Sequence, residues 1–521
     1  MTEITFIDQY NLRRVYKGSP EEHRAQVEDA KRSMDVAKKY GATSYMLFSR
    51  CFEGLINYDF AVPELGNLSG KVWPEGSDKR KQFTVWSSYF KEVIDHGSTI
   101  GLKVYMHTNQ YDFPQPLMDM AGDKLSGTAP VCPAKPLTHD LMVGKFQEFF
   151  RNFPKCAGLA VTVSETMTKP TECNCPVCKD LSPALRFKKV ADAMVDANKG
   201  LGKTMILRTW GKYETPEAIE ALPREIICST KFTVPDFHLI NKPNPILGVQ
   251  GDRQDAEFDA FGEYSGWNYF PCYYGDVFAA RIKLCADKGV KRLGIRLNLE
   301  PQVNPIFGAP YGNQVNIAVF MKLARNPDGD PDAYLKDYIN RTFPKDARDA
   351  AFNLYKKSFG WQSIWLTWRG LNVNDHSRVF NGGVRRIRSQ CGWIVPSPYS
   401  AALTELNERR IDINNAYKEA ITAVSALGPH VDAAWKVNLR RGARAQWFVA
   451  RANTDCLQLY AASSEVSSGR PLPDLAAVGK DIDRRQSLWR RDDPASFDSL
   501  FGDQPLEMWK EVTGKSSPAS E

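Results

Sequence analysis

The 521-residue chain has no uninterrupted apolar run near the roughly 18 residues that a membrane-spanning helix needs. Histidine is scarce: 7 residues, scattered singly, with no H-x-H or H-E-x-x-H pair to suggest a histidine-based metallohydrolase. No G-x-G-x-x-G and no P-loop marks a strand-to-helix turn, so the usual signatures of a nucleotide-binding sheet are missing. Neither sign of charge dominates. The 68 Lys+Arg against 61 Asp+Glu leave +7, too thinly spread for a dedicated nucleic-acid binder. The opening stretch MTEITFIDQYNLRRVYKGSPEEHRAQ lacks a basic segment leading into an apolar one, and it predicts an intracellular, cytoplasmic protein with no membrane partner. Aromatics, by contrast, are plentiful. The 27 Phe, 12 Trp and 20 Tyr exclude a disordered chain, and 43% apolar residues with 25% charged ones suit a globular enzyme.

The 11 cysteines are mostly dispersed at positions that read as buried: Cys51, Cys156, Cys228, Cys272, Cys285, Cys391 and Cys456. Free thiols are expected there rather than a disulfide framework. Cys173, Cys175 and Cys178 in TECNCPVC form a tight cluster. Thiolates so spaced are able to hold zinc, which takes four N/S ligands, but no fourth ligand is apparent. Reduced thiols or a loop staple are therefore the expected state, and no metal or cofactor is implied.

From about residue 24 to 325 an amphipathic helix, a short turn and an apolar strand alternate. The strand candidates are TSYMLFSR, KVYMHTNQ, AGLAVTVSE, TMILRTW, EIICSTKF, ILGVQG, NYFPCYYGD and RLGIRLNLE. Most are continuously apolar, as strands buried on both faces should be. Such alternation allows a doubly wound sheet or a (β/α)8 barrel. Polar residues at many strand ends, Arg50, Asn109, Glu165, Arg208, Lys231, Asp236 and Glu300, favour the barrel, where those ends converge on one mouth. After about residue 345 only helical patterns continue. The predicted organisation is an N-terminal extension over 1–35, a (β/α)8 barrel over 36–344, an all-helical domain over 345–510 and a flexible tail over 511–521. Within the helical part, NDHSRVFNGGVRRIRSQCGW reads as a polar loop reaching the mouth.

Glu165 closes an apolar strand, Asp236 follows STKFTVP, and Glu263 lies in EFDAFGEYSGW. Carboxylates in an aromatic-rich cleft suit glycosidic cleavage, in which one protonates the leaving oxygen and another activates water or attacks the anomeric carbon. Arg208 and Lys231 either bind an anionic substrate or neutralise those carboxylates. Asn109, Trp210, Tyr264, Trp267 and Glu300 complete the candidate substrate contacts, the aromatics as platforms for sugar rings.

The stretch VPDFHLINKPNPILGVQGDRQDAEFDAFGEYSG resembles a segment of the family 67 α-glucuronidases, in which Asp-Phe is followed by Glu-Phe and then Glu-Tyr. Ser164-Glu165 is similar to that family's Ser-Glu at its general acid, and LARNPDGDPDAYLKDYINRTFP to its barrel–helix junction. The resemblance implies a (β/α)8 barrel with a helical domain used for dimerisation, and inverting hydrolysis of α-1,2-linked glucuronic acid from an oligosaccharide. It makes Glu165 the acid, places the base in the pair Asp236 and Glu263, and gives Arg208 and Lys231 the uronate. An inverting pair stands about 6.5–9.5 Å apart. Where the family carries a lysine four residues before the acid, this chain has Val161. A glycosidase acting on another sugar, or a carbohydrate-binding barrel without catalysis, are the alternative readings.

Overall fold

The computed structural model describes residues 3–8, 19–48, 52–108, 113–163, 172–234, 236–238, 240–260, 262–298, 312–373 and 376–518. Eight parallel strands close a barrel in sequence order: β1 Glu3–Asp8, β2 Ser44–Phe48, β3 Lys103–Thr108, β4 Gly158–Thr162, β5 Thr204–Thr209, β6 Ile226–Lys231, β7 Gln254–Asp259 and β8 Arg292–Asn298. β1 pairs with both β2 and β8 and so shuts the ring. The predicted (β/α)8 barrel with a helical C-terminal region is thus the observed architecture.

Helices form where the sequence caps them. The helix Pro20–Tyr40 starts on a Ser19/Glu22 capping box and stops at Gly41, whose left-handed φ of 86° suits glycine. Its apolar stripe, Val27, Ala30, Met34 and Ala37, is buried against the strands. Within each strand, alternate residues face the helices or the barrel interior. Ile7, Met46, Tyr105, Ala160 and Ile206 make an apolar plug inside the ring. Their neighbours Phe6, Leu47, Met106, Leu159, Val161 and Leu207 belong to the larger strand–helix core.

Three differences from the sequence reading have physical causes. The segment 1–35, expected as an extension, contains β1 and most of the first barrel helix. EITFID was overlooked as a strand because charges at both its ends hide four buried residues; Glu3 is held by Arg292 at 2.6 Å and by the Tyr105 hydroxyl at 2.6 Å. ILGVQG is a turn, bent at Gly248 (φ 91°) and tied down by the Gln254 side chain, which accepts from the Gly248 N–H at 2.6 Å. The strand there is instead QDAEFD, which alternates acidic and apolar residues. NYFPCYYGD is irregular backbone with no ladder. Its N–H groups donate to side chains: Cys272 to Asn313, Tyr273 to Ser358 and Tyr274 to Asn316, all at 2.8–2.9 Å.

Past residue 345 the described residues form helices and their connecting turns, with one short hairpin pairing Thr367–Trp368 with Leu371–Asn372. The longest helices, Tyr399–Ser425 and Ala433–Ser467, pack on each other and on Arg348–Leu366. Among the described residues no helix is long and apolar enough to cross a membrane.

The helical region meets the barrel through the loop after β7. Gln446 Nε2 donates to the Gly266 carbonyl at 3.0 Å, and a Cβ on Gly442 would lie 1.7 Å from the Tyr269 carbonyl oxygen. Gly442→Ala should therefore cost about 1–3 kcal/mol through forced separation of helix and loop. Gly360→Ala, at a helical position with nothing within 4 Å, should be neutral or mildly stabilising. Urea midpoints compare the two; equal shifts would contradict this packing.

Candidate active site

β7 and β8 turn an acidic and a basic face into the barrel. Asp255, Glu257 and Asp259 alternate with Ala256 and Phe258, while Arg292 and Arg296 flank Gly294 on the neighbouring strand. Fully buried charges persist only when paired and hydrogen-bonded. Arg208 on β5 forks onto Glu257 through Nε at 2.6 Å and Nη2 at 2.5 Å, both side chains being fully buried. Burial pushes Glu257 up, but Arg208 outweighs it and holds the carboxyl below the usual range. Arg208 Nη1 also donates to His107 Nε2 at 3.0 Å, and the Thr162 hydroxyl lies 2.8 Å from that same nitrogen. Arg208 is therefore a brace of the barrel wall. The bidentate face expected to take a substrate carboxylate is already on Glu257.

Toward the mouth, Lys231 Nζ lies 2.7 Å from Asp236 Oδ2, and Arg296 Nη1 lies 2.9 Å from Glu263 Oε2. Glu263 Oε1 meets His376 Nε2 at 2.9 Å. Both carboxylates feel Arg296, and each raises its pKa. Burial opposes ionisation at both. At Asp236 the opposing cation is chiefly Lys231, at Glu263 chiefly Arg296, and both carboxyls stay below the usual range. The predicted pair Asp236 and Glu263 therefore lies in one charged neighbourhood, Asp236 in contact with Lys231 and Glu263 with Arg296. They differ in access: the Asp236 side chain is 24% exposed and that of Glu263 6%.

Glu214, in the loop after β5, behaves oppositely. Burial, reinforced by Asp236, pushes its carboxyl up to about 7 against the pull of Lys231 and of Asn244 at 3.2 Å. Trp210 is half-buried, with the Arg208 and Lys231 cations 4.1 and 3.9 Å from its ring centre. Tyr264 and Trp267 are 2% and 1% exposed, packed against His376 and, for Trp267, under Arg378, so neither is a platform for a sugar ring. Val161 faces the helices and not the barrel interior, so the lysine-to-valine difference removes no group from the interior. Asn109, Glu165 and Glu300, with Arg50, lie outside the described residues.

Sequence reasoning missed Glu257, Asp259, Arg296, His107, Glu214 and His376. Asp259 accepts from the Gly262 and Glu263 N–H groups at 3.2 and 3.0 Å and so shapes the turn that presents Glu263. The charge alternation of QDAEFD and RLGIR was the available signal for the strand residues. His376 comes from the polar loop expected to reach the mouth. The described cysteines of the dispersed set are buried and free, and Cys173, Cys175 and Cys178 gather with a fourth, Cys132.

No protein-family model matches the chain, and no curated protein matches it. Among solved structures, a GH138 enzyme targeting pectin rhamnogalacturonan II superposes with a TM-score of 0.61 at 12% identity, over 99% of this chain and 62% of that one. A family GH115 4-O-methyl-α-glucuronidase with specificity for decorated arabinogalactans gives 0.45 at 11% identity, over 97% of this chain and 61% of its own. An O-GlcNAc hydrolase of Thermobaculum terrenum gives 0.41 at 11% identity, over 99% and 97%. The first superposition shows the fold, a (β/α)8 barrel followed by a helical region. The chain spans less than two thirds of the GH138 protein's length. None of these comparisons assigns it to family 67.

Arg296→Met should destabilise the protein by about 3–5 kcal/mol at pH 7, because Glu263 is left buried without its main cation. Glu263 is depressed in the folded state, so the pair's contribution is complete above the unfolded carboxyl value of about 4.3 and fades as pH falls through the folded value. The stability gap between wild type and variant should therefore narrow below about pH 4. Urea unfolding at pH 7 and about pH 3.5 tests this, and a gap equal at both would contradict it.

Proposed function

We propose that the protein is a glycoside hydrolase working by carboxylate acid–base catalysis at the barrel mouth. The observation that carries the reading is the pair of carboxylate–cation contacts, Asp236 on Lys231 and Glu263 on Arg296, at strand ends where barrel active sites are built. Asp236, ionised and reachable, is the base that takes a proton from water. Glu263, buried between Arg296 and His376, holds Arg296 in place and keeps the site's charge balanced. Glu165, which follows β4 by three residues in the chain, is the acid that protonates the leaving oxygen. Water attacks the anomeric carbon as the glycosidic C–O bond breaks, and the product is inverted. The substrate class is an oligosaccharide; the sequence resemblance names α-1,2-linked glucuronic acid, and with Arg208 committed to Glu257 its carboxylate would fall to Lys231.

A second reading moves the proton donor to Glu214, whose carboxyl at about 7 keeps a proton near neutrality beside ionised Asp236. Under it, activity falls as pH rises through about 7, and that limb vanishes in Glu214→Gln.

Glu165→Gln should lower turnover of substrates with poor leaving groups by about 10²–10⁴-fold and that of activated aryl glycosides far less. Glu214→Gln should spare both. The reverse pattern would transfer the acid's role to Glu214, and equal losses on both substrate types in both variants would remove the acid assignment. Aldouronic oligosaccharides assayed beside neutral glycosides test the sugar, and NMR of the first-formed anomer tests inversion.

A further inference from the structure

The four cysteine sulfurs of Cys132, Cys173, Cys175 and Cys178 lie within 4.8 Å of one another, and all four residues are buried. Cys132 Sγ stands 3.3 Å from Cys178 Sγ and 3.6 Å from Cys175 Sγ. A disulfide would bring one pair to about 2.05 Å and leave the others apart. One sulfur sharing two neighbours at similar distances suits a common centre instead. Four thiolates about 2.3 Å from a zinc ion define a tetrahedron with edges of about 3.8 Å, close to the spacing found.

The backbone is built around the cluster. The Cys175 carbonyl accepts from the N–H groups of Cys178 and Lys179 at 2.9 and 2.8 Å, so the C-x-x-C segment is a tight turn that aims both sulfurs inward. The Thr128 hydroxyl donates to Cys173 Sγ at 3.7 Å, the kind of outer-shell bond that metal-bound thiolates use. Gly127 has no room for a side chain, since a Cβ there would be 2.5 Å from Cys173 Sγ. Cys132 arrives from the loop after β3 and its carbonyl accepts from the Thr138 hydroxyl at 2.6 Å, which fixes it to the start of the next helix.

We propose that these four cysteines form a structural tetrathiolate zinc site that staples the loop after β3 to the loop after β4 on the catalytic face of the barrel. The coordination is closed, so the ion stabilises and does not react. In the chain, Glu165 falls between the end of β4 and the Cys173–Cys178 turn. The staple therefore anchors the far end of the loop that carries the proposed acid. It does not depend on the glycosidase reading, because its test reads metal and not turnover.

Full-length protein purified under reducing conditions should contain one zinc per chain by elemental analysis. After metal removal and cobalt(II) addition, it should show the intense sulfur-to-cobalt charge-transfer band and visible bands of a tetrahedral tetrathiolate site. Cys132→Ser should lose stoichiometric zinc and about a quarter of the charge-transfer intensity, one ligand of the four that a closed site uses. If that variant does not fold, the wild-type cobalt spectrum decides alone. Iron in place of zinc, no metal uptake by the reduced protein, or a count of seven titratable thiols in the unreduced denatured chain, its 11 less the four of the cluster, would each overturn the proposal.

Discussion

The Arg296 guanidinium is the constraint on which the mouth of this barrel depends. It is buried, it contacts Glu263 at 2.9 Å, and it feels Asp236 and Asp259 as well. Taking several carboxylates out of water is expensive, and it is tolerated only where cations and N–H donors replace the lost hydration. Here β8 supplies Arg292 and Arg296, β5 supplies Arg208 and β6 supplies Lys231. One side of the barrel interior is therefore a charge lattice and the other an apolar plug of Ile7, Met46, Tyr105, Ala160 and Ile206.

That lattice separates protonation states within a small volume. Asp236 and Glu263 are held ionised by the cations beside them, while Glu214, more desolvated than compensated, holds its proton up to about 7. Carboxyl groups pushed apart in this way are what acid–base chemistry at neutral pH requires. The helical region belongs to the same arrangement. His376 reaches Glu263 across the interface, Trp267 donates its indole N–H to the His376 carbonyl at 2.6 Å, and Ser377 accepts from the Gly266 N–H at 3.1 Å. The loop that presents Glu263 is clamped from outside the barrel as well as from within.

How much of this could be read from the sequence depended on which forces wrote each segment. Strands buried on both faces, such as Gly158–Thr162 and Thr204–Thr209, announce themselves by apolar runs, and helices such as Pro20–Tyr40 by caps and stripes. QDAEFD escaped notice because its inward face is acidic, a pattern that ordinarily marks solvent. Its partners on β5 and β8 are distant in the chain, so only the closed ring explains it. Asp236 and Glu263 were singled out through resemblance, but Arg296, which holds Glu263, was not, because arginine in a strand reads equally well as surface. Arg208 was correctly placed at a strand end and wrongly aimed, since its acceptor Glu257 lay in the unrecognised strand. Cys132 went unread for a similar reason: it lies 43 positions from Cys175, and only the stacking of adjacent barrel loops joins them.

The most direct test of the proposed chemistry is hydrolysis by Asp236→Asn beside wild type, using uronic-acid-bearing and neutral oligosaccharides and reading released sugar. Wild type should release sugar and the variant should lose nearly all release, with thermal unfolding still cooperative because Asp236 is partly exposed. Undiminished release by Asp236→Asn, or no release by wild type from any glycoside, would contradict that chemistry.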